Sequence, residues 1–499
     1  MSRVQRLVVL AAALVAALHA LSFVGYGPCD DDYIAYDYAR SLVENGELAF
    51  NPGERIEGFS APGWMLLAAG AILVGVEPAQ ASIVLSTLAF AVATAAVAVL
   101  WFRRHPADRW CAPAWLVAAS PAVAWHAILG LGTVPLAALL ACAFERWDRA
   151  ARSECTPVAA AALFGLAAFL RNEAVIVAVP FLLAAARARR GSLVALALGP
   201  LAAWQVFRLA YFGRLVPITY SVKKLDFLVD LKLGLEYLAE SSAATGLVLA
   251  LALGLVALAR PARAADPVLR GATLAASLFA LYVVYVGGDF LPLARFFVPV
   301  LPLALLAGCE GFVALFTPRR ALAAVALLGA LAFESLQHAQ RPFLLATHLG
   351  SEPRWLALGQ TIAKAVPSDT RVALAPIGCF RWSSRLYVVD MLGLTNAHIA
   401  TVAPDPNITI KGHTRYDAEW VLAQQPDMII LGTGWLGIDE RTGERELRLS
   451  SWEGTLYHHP RLDAESGDYL RLRMDIEGSH PLLFFWKRDK PWPAGAQAL

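Results

Sequence analysis

Residues 82–104 read SIVLSTLAFAVATAAVAVLWFRR. The run from Ser82 to Phe102 carries no charge, and Arg103 and Arg104 follow at once. A bilayer core about 30 Å thick is crossed by about 20 apolar residues in a helix, so this stretch reads as a membrane span with a basic end. The whole chain shares its character. Of 499 residues, 58% are hydrophobic and 16% charged, where a soluble globular protein has about a quarter charged. The formal net charge of +2 gives no reason to expect a nucleic-acid partner.

Further candidate spans lie on both sides of this one, at 4–24, 62–78, 110–127, 131–145, 156–170, 174–187, 191–212, 243–260, 271–287, 293–315 and 320–335. Met1–Val24, with Arg3 and Arg6 ahead of its apolar run, also has the shape of a signal peptide. Leu18-His19-Ala20 is a poor cleavage site, so it reads as an uncleaved first helix. Basic residues in short loops mark the cytoplasmic side. Arg103-Arg104, Arg146 with Arg149, Arg187 to Arg190, Arg260 to Arg270 and Arg319-Arg320 share one side only if residues 62–102 make one net crossing. The 62–78 stretch, with Pro62, Gly63 and Gly70, is then re-entrant or interfacial. This gives about eleven crossings. Residues 25–61, 128–131, 171–173, 213–242 and 288–292 fall outside, as does everything from 337 on.

From about residue 337 the long apolar runs stop. Short β-type runs at Arg371–Ala375, Leu386–Val389, Met428–Leu431 and Leu482–Trp486 alternate with helical stretches at Trp355–Val366 and Ala418–Gln424. That alternation predicts a small α/β domain. The expected organisation is an α-helical polytopic membrane domain over 1–336, with a first external loop at 25–61, and a soluble, extracytoplasmic α/β domain over 337–499.

The first loop holds Cys29-Asp30-Asp31-Asp32-Tyr33-Ile34-Ala35-Tyr36-Asp37-Tyr38-Ala39-Arg40. Adjacent carboxylates repel, which raises a pKa unless a cation is shared. A raised pKa suits a general base, and a shared cation suits a divalent-metal site at Asp30 and Asp31. A solvated acidic helix cap accounts for the same residues, with Asp30 as N-cap. Asn51-Pro52-Gly53 is turn chemistry that folds the loop back and brings Glu57 toward the membrane surface. Cys29 and Cys379 both fall in polar, external regions, where a disulfide between them is open.

These residues, continuing through Asn51-Pro52-Gly53-Glu54 and Glu57-Gly58, strongly resemble the first external loop of a bacterial family of GT-C fold glycosyltransferases. That family is polytopic and uses polyprenyl-phosphate sugars; among its members the chain is similar to the terminal arabinofuranosyltransferases of mycobacterial cell-wall assembly. The resemblance continues through Arg171-Asn172-Glu173, Tyr211-Phe212-Gly213 to Pro217, Thr219 and Lys223, Gly287-Gly288-Asp289-Phe290, Arg295-Phe296, Asp390, Leu392-Gly393-Leu394-Thr395, Ile399-Ala400 and Gly412-His413. It implies a membrane enzyme of the bacterial inner membrane that moves a sugar, with inversion, from a polyprenyl phosphate to an extracytoplasmic glycan, lipid or protein. It implies that an Asp of the first loop is the base, and Asp30-Asp31 is the matching pair. The chain departs from the pattern at Asp32, where a small residue is usual, at Asp37 (Arg), at Ile218 (Asn) and at Gly132 (Glu).

The leaving group of such a transfer is a lipid phosphate, which needs cationic stabilisation. Arg295, Lys223, Lys224 and Arg171 are the cations on the external side, and Arg suits bidentate phosphate contact. Each is also explained as an interfacial side chain, and Arg171 as the partner of Glu173. Tyr33, Glu57, Asp289, Thr219 and His413 are the expected substrate contacts. His126 reads as structural. His398, His413, Trp382, Trp435 and Trp452 offer faces for a sugar chain or else belong to a core. No Gly-rich nucleotide loop is present, so a nucleotide-sugar donor is not supported. The competing functions are a transporter or flippase of lipid-linked saccharide, which calls for mid-membrane ionisable residues and internal repeats, and a non-catalytic envelope-assembly subunit.

Overall fold

A computed structural model describes residues 1–25, 27–315, 351–432, 436–438, 445–447, 449–463, 465–476 and 481–499. The expected span at 320–335 and Trp435 lie outside the described residues. Two compact units emerge, and neither is continuous in sequence. One comprises 1–28, 61–210 and 226–349; the other comprises 29–60, 211–225 and 350–499. The first loop and the segment 211–225 therefore fold with the C-terminal domain.

The first unit is helical. Four of its helices are long and apolar enough to cross a membrane: Arg3–Leu21, Pro78–Arg104, Gly191–Phe212 and Pro267–Tyr285. Two bent pairs add to these. Ala112–Ala118 meets Pro121–Leu129 at 45°, and Phe227–Thr245 meets Leu247–Ala257 at 88°. The chain is thus a multi-pass membrane protein. Among the described residues, other crossings of the expected eleven fall to shorter apolar helices, Val158–Leu170, Ala174–Arg187 and Leu301–Leu315, and the stretch expected to be re-entrant or interfacial forms Pro62–Leu73. Pro62–Leu73 has 12 residues, below the roughly 17 a span needs.

The expected loop at 213–242 is largely helical, with Ile218–Lys223 and Phe227–Thr245. Asp230, Lys232, Glu236 and Glu240 break its hydropathy, but Asp226 caps it by accepting the Leu228 N–H, which satisfies one of the helix's orphan donors. In Arg3–Leu21, small residues at four-residue spacing, Ala12, Ala16 and Ala20, form the buried stripe. The basic helix ends close a buried ion network. Arg104 reaches Asp148 at 2.8 Å, Asp266 at 2.5 Å and Glu310 at 2.8 Å. One guanidinium so joins the ends of four helical segments, as its fixed fork of donors allows.

The second unit carries a six-stranded sheet of order β2-β1-β3-β7-β6-β8. Its strands are β1 (Arg371–Leu374), β2 (Tyr387–Asp390), β3 (Met428–Ile429), β6 (Tyr469–Met474), β7 (Leu482–Lys487) and β8 (Ala496–Ala498), with β4 (Leu436–Ile438) and β5 (Arg445–Leu447) forming a separate hairpin. β1 runs parallel to β2 and β3, and the other sheet pairs are antiparallel. Ile429, Leu431, Phe485 and Trp452 lie in its apolar core. The expected α/β domain is therefore present, and the four expected strands lie side by side in its sheet as β2-β1-β3-β7, with β2 at the edge. Trp452 is a core residue, buried with Tyr469 and Leu456.

Candidate active site

The first loop is built onto the C-terminal domain by its own polar residues. The helix Asp30–Asn45 buries Asp32 to Arg40 without interruption, so it is held on more than one face. Tyr33 and Tyr36 lie edge-on or tilted against Trp382, with centroids 6.2 and 6.1 Å away. Arg40 stacks 4.3 Å over the same indole and donates to the Trp382 carbonyl at 2.7 Å. Its other partner is Asp37. The Asp32 carboxylate, fully buried, accepts the Tyr36 hydroxyl.

Farther on, Asn51 pairs its side-chain amide with the backbone of β2. It donates to the Val388 carbonyl at 2.8 Å and accepts the Val388 N–H at 3.1 Å. Tyr38 closes the loop by accepting the Gly58 N–H and donating to the Ile56 carbonyl. Glu57 is buried, and its carbonyl accepts the Ile218 N–H at 3.1 Å. Ile218, in the position where the resemblance expects Asn, packs with Val222, Ala400, Ile56 and Leu394. An apolar contact thus replaces a polar one there.

Asp30 and Asp31 have different surroundings. Asp30 accepts the Cys379 N–H at 2.7 Å and the Gly378 N–H at 3.2 Å. Burial pushes its pKa up to about 7 against the pull of the Cys379 N–H, and the Asp31 charge adds to the rise. Asp31 is half-buried, and Lys223 Nζ stands 3.7 Å from its Oδ2. Lys223 ends the short helix Ile218–Lys223, which places half-buried Thr219 one turn earlier on the same face. The turn at 411–413 meets this helix: a Cβ on Gly412 would stand 3.8 Å from Lys223 Cε. Burial holds His413 below the usual imidazole pKa, and Asp31 and Lys223 are among the charges that act on it. Asp31, Lys223 and His413 thus form one cluster within this unit, with Thr219 beside it.

Lys224 follows Lys223 in this unit, whereas the two expected arginines belong to the first unit. Arg295, which is buried, donates to Asp289 at 2.7 Å, a half-buried residue whose side chain is covered. Their loop carries consecutive left-handed residues, Leu293 and Ala294, and His126 contacts the Pro292 carbonyl at 3.1 Å, a structural role. Arg171 donates to Glu173 at 2.6 Å and to the Leu131 carbonyl at 3.1 Å, the pairing open from sequence. Gly132 has φ +67° and a Cβ there would lie 3.2 Å from the Trp64 ring. The Glu expected by resemblance has no room at this position.

Cys29 and Cys379 are buried free thiols, so the disulfide left open by the sequence is not formed. Nor do the acidic residues fit a divalent cation. Among the described residues no group of three or more His, Cys, Asp or Glu side chains is arranged to hold one. Both Asp30 oxygens accept backbone N–H groups, and Asp31 faces an ammonium. Sequence reasoning missed Gly378 and Val388 as partners of the loop. Only the folded contact reveals them.

A family model described as a domain of unknown function (DUF8728) matches residues 346–470. No curated protein matches the chain. Among solved structures, the oligosaccharyltransferase of Archaeoglobus fulgidus, in a complex with Zn and sulfate, is similar at 13% identity with TM-score 0.52. The match covers 98% of this chain and 74% of that one. ArnT from Cupriavidus metallidurans is similar at 14% identity in its apo state, with TM-score 0.48 over 78% of this chain and 86% of that one. Its undecaprenyl phosphate complex gives 14% and 0.49 over 77% and 85%. The oligosaccharyltransferase likeness is one of fold. The chain has the GT-C type of membrane fold with a C-terminal α/β domain.

Proposed function

We propose that the protein is a membrane glycosyltransferase that moves a sugar from a polyprenyl phosphate to a hydroxyl of a glycan, lipid or protein. The observation that carries the reading is the cluster of Asp31, Lys223 and His413, assembled from the three first-loop, 211–225 and C-terminal segments that bear the family-like motifs. The GT-C fold supports it, since that fold holds lipid-linked donors at a membrane surface in the family the sequence resembles.

Asp31 is the base. It takes the proton of the acceptor hydroxyl as that oxygen attacks the anomeric carbon. The bond from the anomeric carbon to the phosphate oxygen breaks, and the electron pair leaves with the lipid phosphate. A single displacement of this kind inverts the anomeric centre. Lys223, 3.7 Å from the Asp31 carboxylate, lies where it can meet the departing phosphate. His413, held neutral by burial, supplies a hydrogen bond rather than a charge. Arg295 and Arg171, each with an acidic partner, are the further candidates for the phosphate, and Tyr33, Glu57, Asp289 and Thr219 for the substrate. Of these Tyr33 and Glu57 are buried and act through packing.

The basic loops support a bacterial inner-membrane protein with its C-terminal domain outside the cytoplasm. The resemblance makes an arabinofuranosyl donor the first to test. The test compares transfer from a panel of radiolabelled polyprenyl-phosphate sugars in membranes bearing wild-type or Asp31→Asn protein at equal levels. Transfer from one donor, lost in the variant, is expected. Equal transfer by both would remove the base from Asp31.

A further inference from the structure

We propose that Asp30 is a positioning residue: it fastens the first turn of the helix Asp30–Asn45 to the N-terminus of the helix Ile377–Ser384 and so holds Asp31 against Lys223. The inference rests on the reading of Asp31 as the base.

The first turn of Ile377–Ser384 needs acceptors for its N–H groups. Its own N-cap is Pro376, and no side chain within that helix start caps it. Asp30 supplies the acceptors from the first loop, one oxygen to Cys379 and one to Gly378. Bonds to two donors, one on each oxygen, fix a carboxyl group in direction as well as place. The backbones also meet. A Cβ on Gly378 would stand 2.1 Å from the Asp30 carbonyl oxygen and 3.0 Å from the Ile34 nitrogen. Only glycine permits this approach, because the atoms in the way are backbone and cannot swing aside.

At 3.6 residues per turn, neighbours on a helix point about 100° apart. Pinning Asp30 toward Gly378 and Cys379 therefore turns Asp31 to a different side, where Lys223 stands. Farther along, Arg40 and Trp382 hold the same two helices together. That contact sets their separation, and Asp30 sets the angle of the turn that bears the base. An oxygen already taken by an N–H is poorly placed to receive a proton from an acceptor hydroxyl. This separates the roles of the two adjacent carboxylates.

The experiment uses full-length protein in nanodiscs and three variants: Asp30→Ala, Gly378→Ala and Asp31→Asn. Two quantities are read, sugar transfer and the maleimide labelling of buried Cys379, mapped by peptide mass. Asp30→Ala and Gly378→Ala should each lower kcat by up to about 100-fold, the scale of a misplaced catalytic group. The donor KM should stay within about twofold, since the donor contacts remain. Both should expose Cys379 to labelling. Asp31→Asn should abolish transfer with Cys379 as protected as in wild type. Loss of transfer in Asp30→Ala with Cys379 still protected would put Asp30 in the chemistry and overturn the proposal. So would normal transfer in both Asp30→Ala and Gly378→Ala. Transfer retained in Asp31→Asn would instead sink the reading of Asp31, and the labelling would separately decide whether Asp30 fastens the helices.

Discussion

Lys223 Nζ lies 3.7 Å from Asp31 Oδ2, joining the segment 211–225 to the first loop. A half-exposed pair of this kind adds little stability, about 1 kcal/mol at most. Its value lies in what it does to a base. On the proposed mechanism the ammonium pairs with the carboxylate and offers positive charge to the leaving phosphate. Lys223→Met should therefore lower transfer by about 100-fold or more, while the thermal midpoint moves little. Lys223→Arg should restore part of the rate. Equal rates in wild type and Lys223→Met, measured on purified protein, would take the cation out of the reaction.

The pH dependence of stability follows from Asp30. Its folded pKa stands at about 7, above the ordinary 3.8, because burial disfavours its charge. Such a group gives stability that is complete below the ordinary value and lost as pH rises through the folded one. The groups acting on it are Asp31 from the loop and Gly378 and Cys379 from the helix Ile377–Ser384. Thermal unfolding in detergent should show a midpoint that falls as pH is raised from 4.5 to 7 and then levels. Asp30→Asn should flatten that fall. A midpoint rising over the same range would contradict the assignment.

Asp390 is a second buried carboxylate, and its role is architectural. It accepts the N–H groups of Leu392, Gly393 and Thr395 and the Thr395 hydroxyl. Burial raises its pKa against these bonds. The turn it shapes leads to Leu394 and Ala400, which pack on Ile218 and Val222 beneath Lys223. Asp390→Ala leaves several buried donors without an acceptor, each costing about 1–3 kcal/mol. Guanidine titration should show a loss of several kcal/mol. A loss below about 1 kcal/mol would mean that water or another group satisfies them.

Gly132 tests the helical unit by itself. At φ +67° and with Trp64 3.2 Å from a would-be Cβ, Gly132→Ala suffers both left-handed strain, about 1–2 kcal/mol, and a steric clash. A lower thermal midpoint is expected, and a larger drop for Gly132→Glu. A Gly132→Glu protein as stable as wild type would show that the ring moves freely aside.

Much of this architecture was legible in the chain. The uncharged run before Arg103 and Arg104 marks a helix directly, because a lipid environment demands it. Arg371–Leu374 and Leu482–Lys487 stand out as β-rich runs. β6 escaped because Arg471 and Arg473 alternate with its apolar residues, so it never forms a run. Phe227–Thr245 escaped because its charges hide its apolar face. The first loop's aspartates stand out in the sequence as a candidate site, but nothing in Asp30-Asp31 says which one meets Gly378 and Cys379. That depends on a contact spanning almost 350 positions of the chain. The Gly132 departure also became intelligible only with Trp64 beside it.

The most direct test of the central claim follows the sugar and the lipid together. Purified protein in nanodiscs is given a doubly labelled polyprenyl-phosphate sugar and a hydroxyl acceptor. The account predicts sugar on the acceptor and one free polyprenyl phosphate for each sugar moved, both absent in Asp31→Asn. Lipid-linked sugar that crosses the bilayer intact, with no phosphate released, would contradict it and make the protein a carrier.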